Sequence, residues 1–141
     1  MPVTVRQIKL VRETWEKVLP IADTAAQLFY NRLFEIDPEL RSLFHGDMNE
    51  QGHKLMAMIG LAVASLNDLE KIMPRIRELG ERHTSYGVKD KDYDTVAGAL
   101  LWTLEQGLQD AFTPEVKEAW TAVYIVLATT MIAAANQKAA A

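Results

Sequence analysis

Three histidines, four tyrosines and no cysteine are the side chains from which a metal or acid–base site would have to be built. The missing cysteines exclude disulfides, iron–sulfur clusters and thiolate zinc sites. His45 falls in a His-Gly-Asp turn and His53 lies eight residues further on, a separation that suits no usual metal pair, so both are expected on the surface. His83 is different. In the stretch IRELGERHTSYGV the apolar residues Ile72, Ile76 and Leu79 precede it in steps of four, three and four, the spacing of one helix face. His83 therefore occupies the place of the next buried leucine, shortly before a Ser85-Tyr86-Gly87 break. On that stretch alone it is either a core histidine satisfied near a helix end or a metal ligand.

Three other polar groups are set in apolar surroundings. Tyr30 follows Phe29 and precedes Leu33 and Phe34; Gln51 precedes Leu55 and Met58 by four and seven residues; Tyr93 begins a stripe that continues through Val96 and Leu100. An apolar core has no use for buried donors such as Tyr30 and Gln51 without a polar target. A lone histidine, in turn, binds a metal tightly only if something else supplies the remaining ligands. A porphyrin does so, needing one axial imidazole, two apolar walls and, for oxygen chemistry, hydrogen-bond donors on the open side of the iron. No Gly-rich phosphate loop, Gly-x-Ser-x-Gly elbow or His-Glu-x-x-His pair is present.

The elements that must position these residues read as helices throughout. Thr4 with Gln7 forms a capping-box pattern ahead of the stripe Ile8, Val11, Trp15, Val18, which ends at Pro20. A second helix is predicted from about Ile21 to Asp37-Pro38, with a short helical piece to about Leu43. Glu50 to Leu66 is expected to be a helix apolar on much of its circumference and so sandwiched between others, with Ala26 and Gly52 as small residues at a close helix crossing. A helix carrying His83 is expected between about Leu69 and Thr84, kinked or restarted at Pro74. Two long helices follow, from about Lys91 to Ala111 and from Thr113-Pro114 onward. No segment alternates like a strand, so the fold class is all-α.

The chain's 141 residues suit one domain spanning 1–141, of ordinary soluble composition with 49% hydrophobic and 24% charged residues. A net charge of −4, with dispersed Lys and Arg, gives no reason to expect a nucleic acid or a membrane surface as partner. The N-terminus lacks the apolar core of a signal peptide, and the apolar run from Ala122 to Ala135 is short for a membrane span and broken by Thr129 and Thr130. A cytoplasmic location is the expectation.

Taken in order, W-x-K-V at Trp15, LFYNRLF (Leu28 to Phe34), DPELRSLF (Asp37 to Phe44), QGHKLM (Gln51 to Met56), ELGERHTSYGV (Glu78 to Val88) and KEAWTAVY (Lys117 to Tyr124) resemble the globins. Within them the chain is similar to the bacterial single-domain haemoglobins and to the globin domain of flavohaemoglobins. The resemblance implies a globin fold, a helical sandwich around a pocket for haem b (iron protoporphyrin IX), with His83 as the proximal iron ligand. It implies Phe44 against the ring, Tyr30, Gln51 and Leu55 on the ligand-binding side, Lys54 within reach of a propionate, and Leu79, Val88 and Tyr93 among the residues around the cofactor. The expected partners are dioxygen, nitric oxide and carbon monoxide. In flavohaemoglobins the tyrosine matching Tyr93 is linked to the proximal histidine through a carboxylate of the last helix, where this chain has Ala135. The chain also stops where flavin and nicotinamide domains would begin, so any reductase is expected to be external. Reversible oxygen binding is the first reading, nitric oxide dioxygenase activity with a separate reductase the alternative, and a haem-free interaction module a third class that would not need His83, Tyr30 and Gln51 together.

Overall fold

The computed structural model describes residues 3–44, 46–85 and 89–140. Six α-helices make up most of them: α1 Val5–Val18, α2 Ala22–Ile36, α3 Met48–Ala64, α4 Met73–Ser85, α5 Asp90–Leu108 and α6 Pro114–Ala140. Short 3-10 turns at 19–21, 38–43, 69–71 and 109–111 link them, and no strand occurs among the described residues. The expected all-α fold is therefore the observed one.

Local chemistry sets the helix ends. Thr4 Oγ1 accepts from the Gln7 amide at 3.1 Å while Gln7 Oε1 accepts from the Thr4 amide at 3.0 Å. This reciprocal box starts α1, and such caps contribute about 1 kcal/mol. Asp37 Oδ1 accepts from the Glu39 amide across Pro38, and Thr113 Oγ1 accepts from the Val116 amide at the start of α6. The ends of two helices differ from expectation. α3 begins at Met48 because Asp47, read from the sequence as part of a turn, caps it through Asn49 at 2.8 Å. It ends at Ala64 because Arg12 of α1 donates to the carbonyls of Val63 at 3.3 Å and Ala64 at 3.1 Å, satisfying groups that a longer helix would have bonded itself. Likewise α5 starts at Asp90 and stops at Leu108, where Gln109 takes a left-handed φ of 49° and turns the chain.

Packing arranges the six helices around a cavity. The most extensive contact is α4 along α6; α2 packs on α5 and on α3, and α1 packs on α6. One core cluster joins α1, α5 and α6 with the end of α3, around Trp15 and Trp120 at 6.2 Å between ring centroids. The Trp120 indole N–H donates to Thr14 Oγ1 at 2.9 Å, and the Thr14 hydroxyl donates to the Leu10 carbonyl at 2.7 Å. A buried indole N–H without that partner would cost roughly 1–3 kcal/mol. A second cluster joins α4 to α6 through Ile72, Ile76, Ala128 and Met131, and a third gathers the aromatics of α2 with Leu40 and Ala99.

α3 is not sandwiched as its composition suggests. It packs on α1 and α2, and only Gly52, Ala62 and Val63 are buried along it. Its flank of Leu55, Met58 and Ile59 faces the cavity and is half-buried. The expected close crossing of α2 and α3 is present: a Cβ placed on Gly52 would lie 3.0 Å from that of Ala26. α6 starts at Pro114 as expected, and its stretch Pro114–Ala134 is as long and apolar as a bilayer-crossing helix. Here it serves as the helix on which α1, α4 and α5 all pack.

Candidate cofactor site

The cavity lies between α3 and α4, with α5 and α6 closing it. α3 contributes Leu55, Met58 and Ile59, α4 contributes Leu79 and His83, and α2 adds Phe29. Val96 and Leu100 of α5 and Leu127, Ala128 and Met131 of α6 complete an apolar lining, interrupted by His83, Asp92, Tyr93, Trp120 and Tyr124.

His83 is half-buried at the end of the α4 stripe, where its spacing put it. Its Nδ1 lies 2.8 Å from the Leu79 carbonyl oxygen. A carbonyl only accepts, so Nδ1 carries the proton and Nε2 keeps its lone pair. Burial, assisted by the Arg82 charge, outweighs the Leu79 hydrogen bond and holds the imidazole pKa below its ordinary 6.5. The ring is thus neutral, oriented and basic at one nitrogen, which is what a metal ligand requires. Tyr93, 8% exposed, stacks beside it with centroids 6.2 Å apart and planes 25° from parallel. The Tyr124 hydroxyl donates to the Tyr93 backbone carbonyl at 2.6 Å, fixing that turn of α5 against α6.

The other candidate residues gather on the α2–α3 side. Tyr30 is buried, with Phe44 edge-on at 5.3 Å, Phe29 edge-on at 5.0 Å and Phe34 stacked at 6.1 Å. Burial pushes its phenol up to about 12, against the weaker opposite effect of the neighbouring Gln51 side chain. Gln51 itself is half-buried and not fully enclosed, because it sits in the first turn of α3 beside the exposed Asn49 and Glu50. Tyr30 lies in the wall of a second, more open groove between α2 and α3 of about 660 Å³, whereas its neighbour Phe29 lines the histidine cavity. Phe44, half-buried, belongs to the aromatic cluster around Tyr30. Lys54 is exposed on α3 and 4.0 Å from Glu50. His53 is exposed and 3.2 Å from Asp23, as a surface histidine should be. Val88, His45 and the Tyr86-Gly87 part of the expected break lie outside the described residues.

Several lining residues were not singled out from the sequence. Met58, Ile59, Val96 and Leu100 carry the same apolar spacing as ordinary core positions, so nothing in the pattern marks them. Asp92 is the informative omission: a carboxylate 5% exposed, whose Oδ2 accepts from the Lys89 amide at 2.9 Å at the start of α5. Its position three residues after the helix cap was the available signal.

The donor set fits a haem: one neutral imidazole with a free Nε2, and apolar walls above and below it. Among the described residues no group of three or more metal-ligating side chains occurs, so a metal here would need its other ligands from a macrocycle. The cavity encloses about 170 Å³, against the roughly 300–1,000 Å³ usual for small-molecule sites. α3, which forms one wall of the cavity, packs on α1 and α2.

Residues 27–131 match the protein family described as Globin. The chain is 31% identical to a neuroglobin of Tetraodon nigroviridis over 137 residues, covering 87% of this chain and 86% of the relative. It is 30% identical over 132 residues to the flavohemoprotein of Vibrio cholerae, covering 92% of this chain but 34% of that longer protein. In structure it is similar to an engineered carbene transferase from Rhodothermus marinus, with a TM-score of 0.89, 25% identity and 98% and 96% of the two chains covered. It also superimposes on a bacterial globin from Campylobacter jejuni, with a TM-score of 0.86, 22% identity and 98% and 100% covered.

Proposed function

The chain belongs to the globin family, and on that premise we propose that it binds one b-type haem through Nε2 of His83 and takes up dioxygen reversibly, for storage or delivery. The observation that carries this reading is the His83–Leu79 hydrogen bond at 2.8 Å, which points an unprotonated nitrogen into an apolar cavity. When bound, the haem supplies ferrous iron with one coordination site for a diatomic gas. Leu55, Met58 and Phe29 exclude water from that site. Tyr30, buried and kept neutral beside the cavity residue Phe29, is the donor this reading assigns to a gas carrying partial negative charge, which favours dioxygen over carbon monoxide.

His83 is hydrogen-bonded to a neutral carbonyl, and no Asp or Glu follows Glu118 in the sequence, so α6 offers it no carboxylate. An imidazole without a carboxylate partner pushes less electron density onto iron, which supports reversible binding over peroxidase-like bond cleavage. The second reading is nitric oxide dioxygenase activity. It draws support from the Rhodothermus marinus relative, an engineered carbene transferase described as a candidate nitric oxide dioxygenase, and from the flavohemoproteins, of which this chain spans about a third. Under that reading electrons come from a separate reductase.

Absorption spectra of the purified protein in ferric, ferrous and oxygenated states, with a pyridine haemochromogen assay, test the first reading. A b-type spectrum with oxygenation reversed by removing the gas is expected. A protein that neither carries haem nor takes up added haemin would sink it. Nitrate formation from nitric oxide separates the second: nicotinamide cofactor alone should give a single burst, and an added flavin reductase should restore cycling.

A further inference from the structure

Gly80 is buried in the interior of α4, one residue after the carbonyl that orients His83 and three before His83 itself. A Cβ built there would lie 2.6 Å from Met131 Cα and 2.8 Å from Met131 C, and nearer still to its carbonyl oxygen. Real Cβ contacts are essentially never that short. The obstacle is the backbone of α6, so no change of rotamer removes it. Glycine weakens a helix interior relative to alanine, and at this position it permits the closest approach in the most extensive helix pair of the molecule. The other helix glycines are less constrained: Gly52 meets only the Ala26 methyl at 3.0 Å, and Gly98 meets nothing within 4 Å.

The contact lies beside the cavity. Met131 lines it, Ala128 one turn earlier lines it, and Leu79 and His83 flank Gly80 on the cavity side of α4. Ile76, 1% exposed, extends the same seam by another turn. His83 is tied to α4 both covalently and through the Leu79 carbonyl, so its ring is carried wherever α4 is seated. The separation of α4 from α6 therefore sets how far Nε2 reaches into the cavity. We propose that Gly80 is a positioning residue that fixes the reach of the His83 ligand nitrogen by letting α4 seat on the backbone of α6 at Met131. This rests on the reading of His83 as the haem ligand.

The test compares haem-loaded wild type, Gly80→Ala and the control Gly98→Ala, which adds the same methyl in open space. The iron–histidine stretching band of the ferrous protein by resonance Raman, and the rate of haem transfer to an acceptor apoprotein, are the readouts. The same measurements are made on His83→Gly and on Gly80→Ala/His83→Gly, each loaded with haem and free imidazole as the axial base. Gly80→Ala should shift the iron–histidine band and release haem about tenfold faster, with Gly98→Ala matching wild type. In the His83→Gly background, where the imidazole is no longer tethered to α4, the band shift should disappear. A band unchanged in Gly80→Ala, or a shift that persists with free imidazole, overturns the proposal, since the methyl would then act by distorting the pocket generally. Failure of both Gly80→Ala variants to fold also overturns it, assigning the glycine to packing alone. Failure of the ligand reading is separately visible as a wild-type protein with no iron–histidine band.

Discussion

The α4 wall of the cavity and the α2–α3 groove beside it are built in different ways. On the α4 side everything that prepares His83 is local: the stripe from Ile72, the Leu79 carbonyl four residues back and the glycine three residues back all belong to one helix. On the α2–α3 side the candidate donors stand on different helices, Tyr30 on α2 and Gln51 on α3, near the crossing where Gly52 passes Ala26. A ligand held within one helix is as rigid as that helix. A donor pair held between two helices depends on their separation. The α4 side is thus built for a fixed bond and the α2–α3 side for an adjustable one.

The largest expected effect tests the fixed side. His83→Ala should lower haem affinity by more than about 100-fold, seen as protein that purifies largely without a Soret band. Full haem content with an unchanged ferrous spectrum would remove the α4 wall from the account. Next comes the adjustable side. Tyr30→Phe keeps the ring and removes the hydroxyl, and a loss of roughly 1–3 kcal/mol should speed oxygen dissociation about 10- to 100-fold in stopped flow. Gln51→Leu should act in the same direction but more weakly, because Gln51 is only half-buried. The two changes should not add. Equal effects would mean that Gln51 reaches the gas directly.

The pH dependence of the haem-free fold distinguishes the walls again. The folded pKa of His83 is below 6.5, so between the two values the unfolded chain binds the proton and the folded chain does not. Stability should therefore fall as pH drops through about 6.5 and level off at the folded value. Urea midpoints measured against pH should show this decline in the wild type and lose it in His83→Leu. The smallest effect belongs to the crossing. Gly52→Ala meets the Ala26 methyl at 3.0 Å, and the squeeze is countered by alanine's helix preference, so stability should stay within about 1 kcal/mol of wild type. A much larger loss in the urea midpoint would show the α2–α3 separation to be as rigid as that of α4 and α6, and would erase the contrast.

The contrast also explains what could be read from sequence. The His83 stripe was legible because its geometry is the 3.6-residue repeat itself, and the Thr4, Asp37 and Thr113 starts were legible because caps are local chemistry. Tyr30 was legible as adjoining a core face, and it is buried there. Gln51 was read as buried and is only half so, because residue spacing gives a direction but not how much of the neighbouring helix covers it. Asp47 was missed as a cap since His-Gly-Asp also spells a turn. The end of α3 was misread because the Arg12 guanidinium that closes it comes from 51 residues away. Nor could spacing show that Met58, Val96 and Trp120 line one cavity, since their convergence depends on how four helices pack.

Trp120 lines the cavity and stands 6.2 Å from Trp15, so two of the chain's three tryptophans form one optical unit beside the cofactor site. A porphyrin absorbs where indoles emit. Their fluorescence should be bright in the empty protein and almost extinguished in the filled one, which gives the molecule a built-in gauge of its own loading, readable in dilute solution without any label.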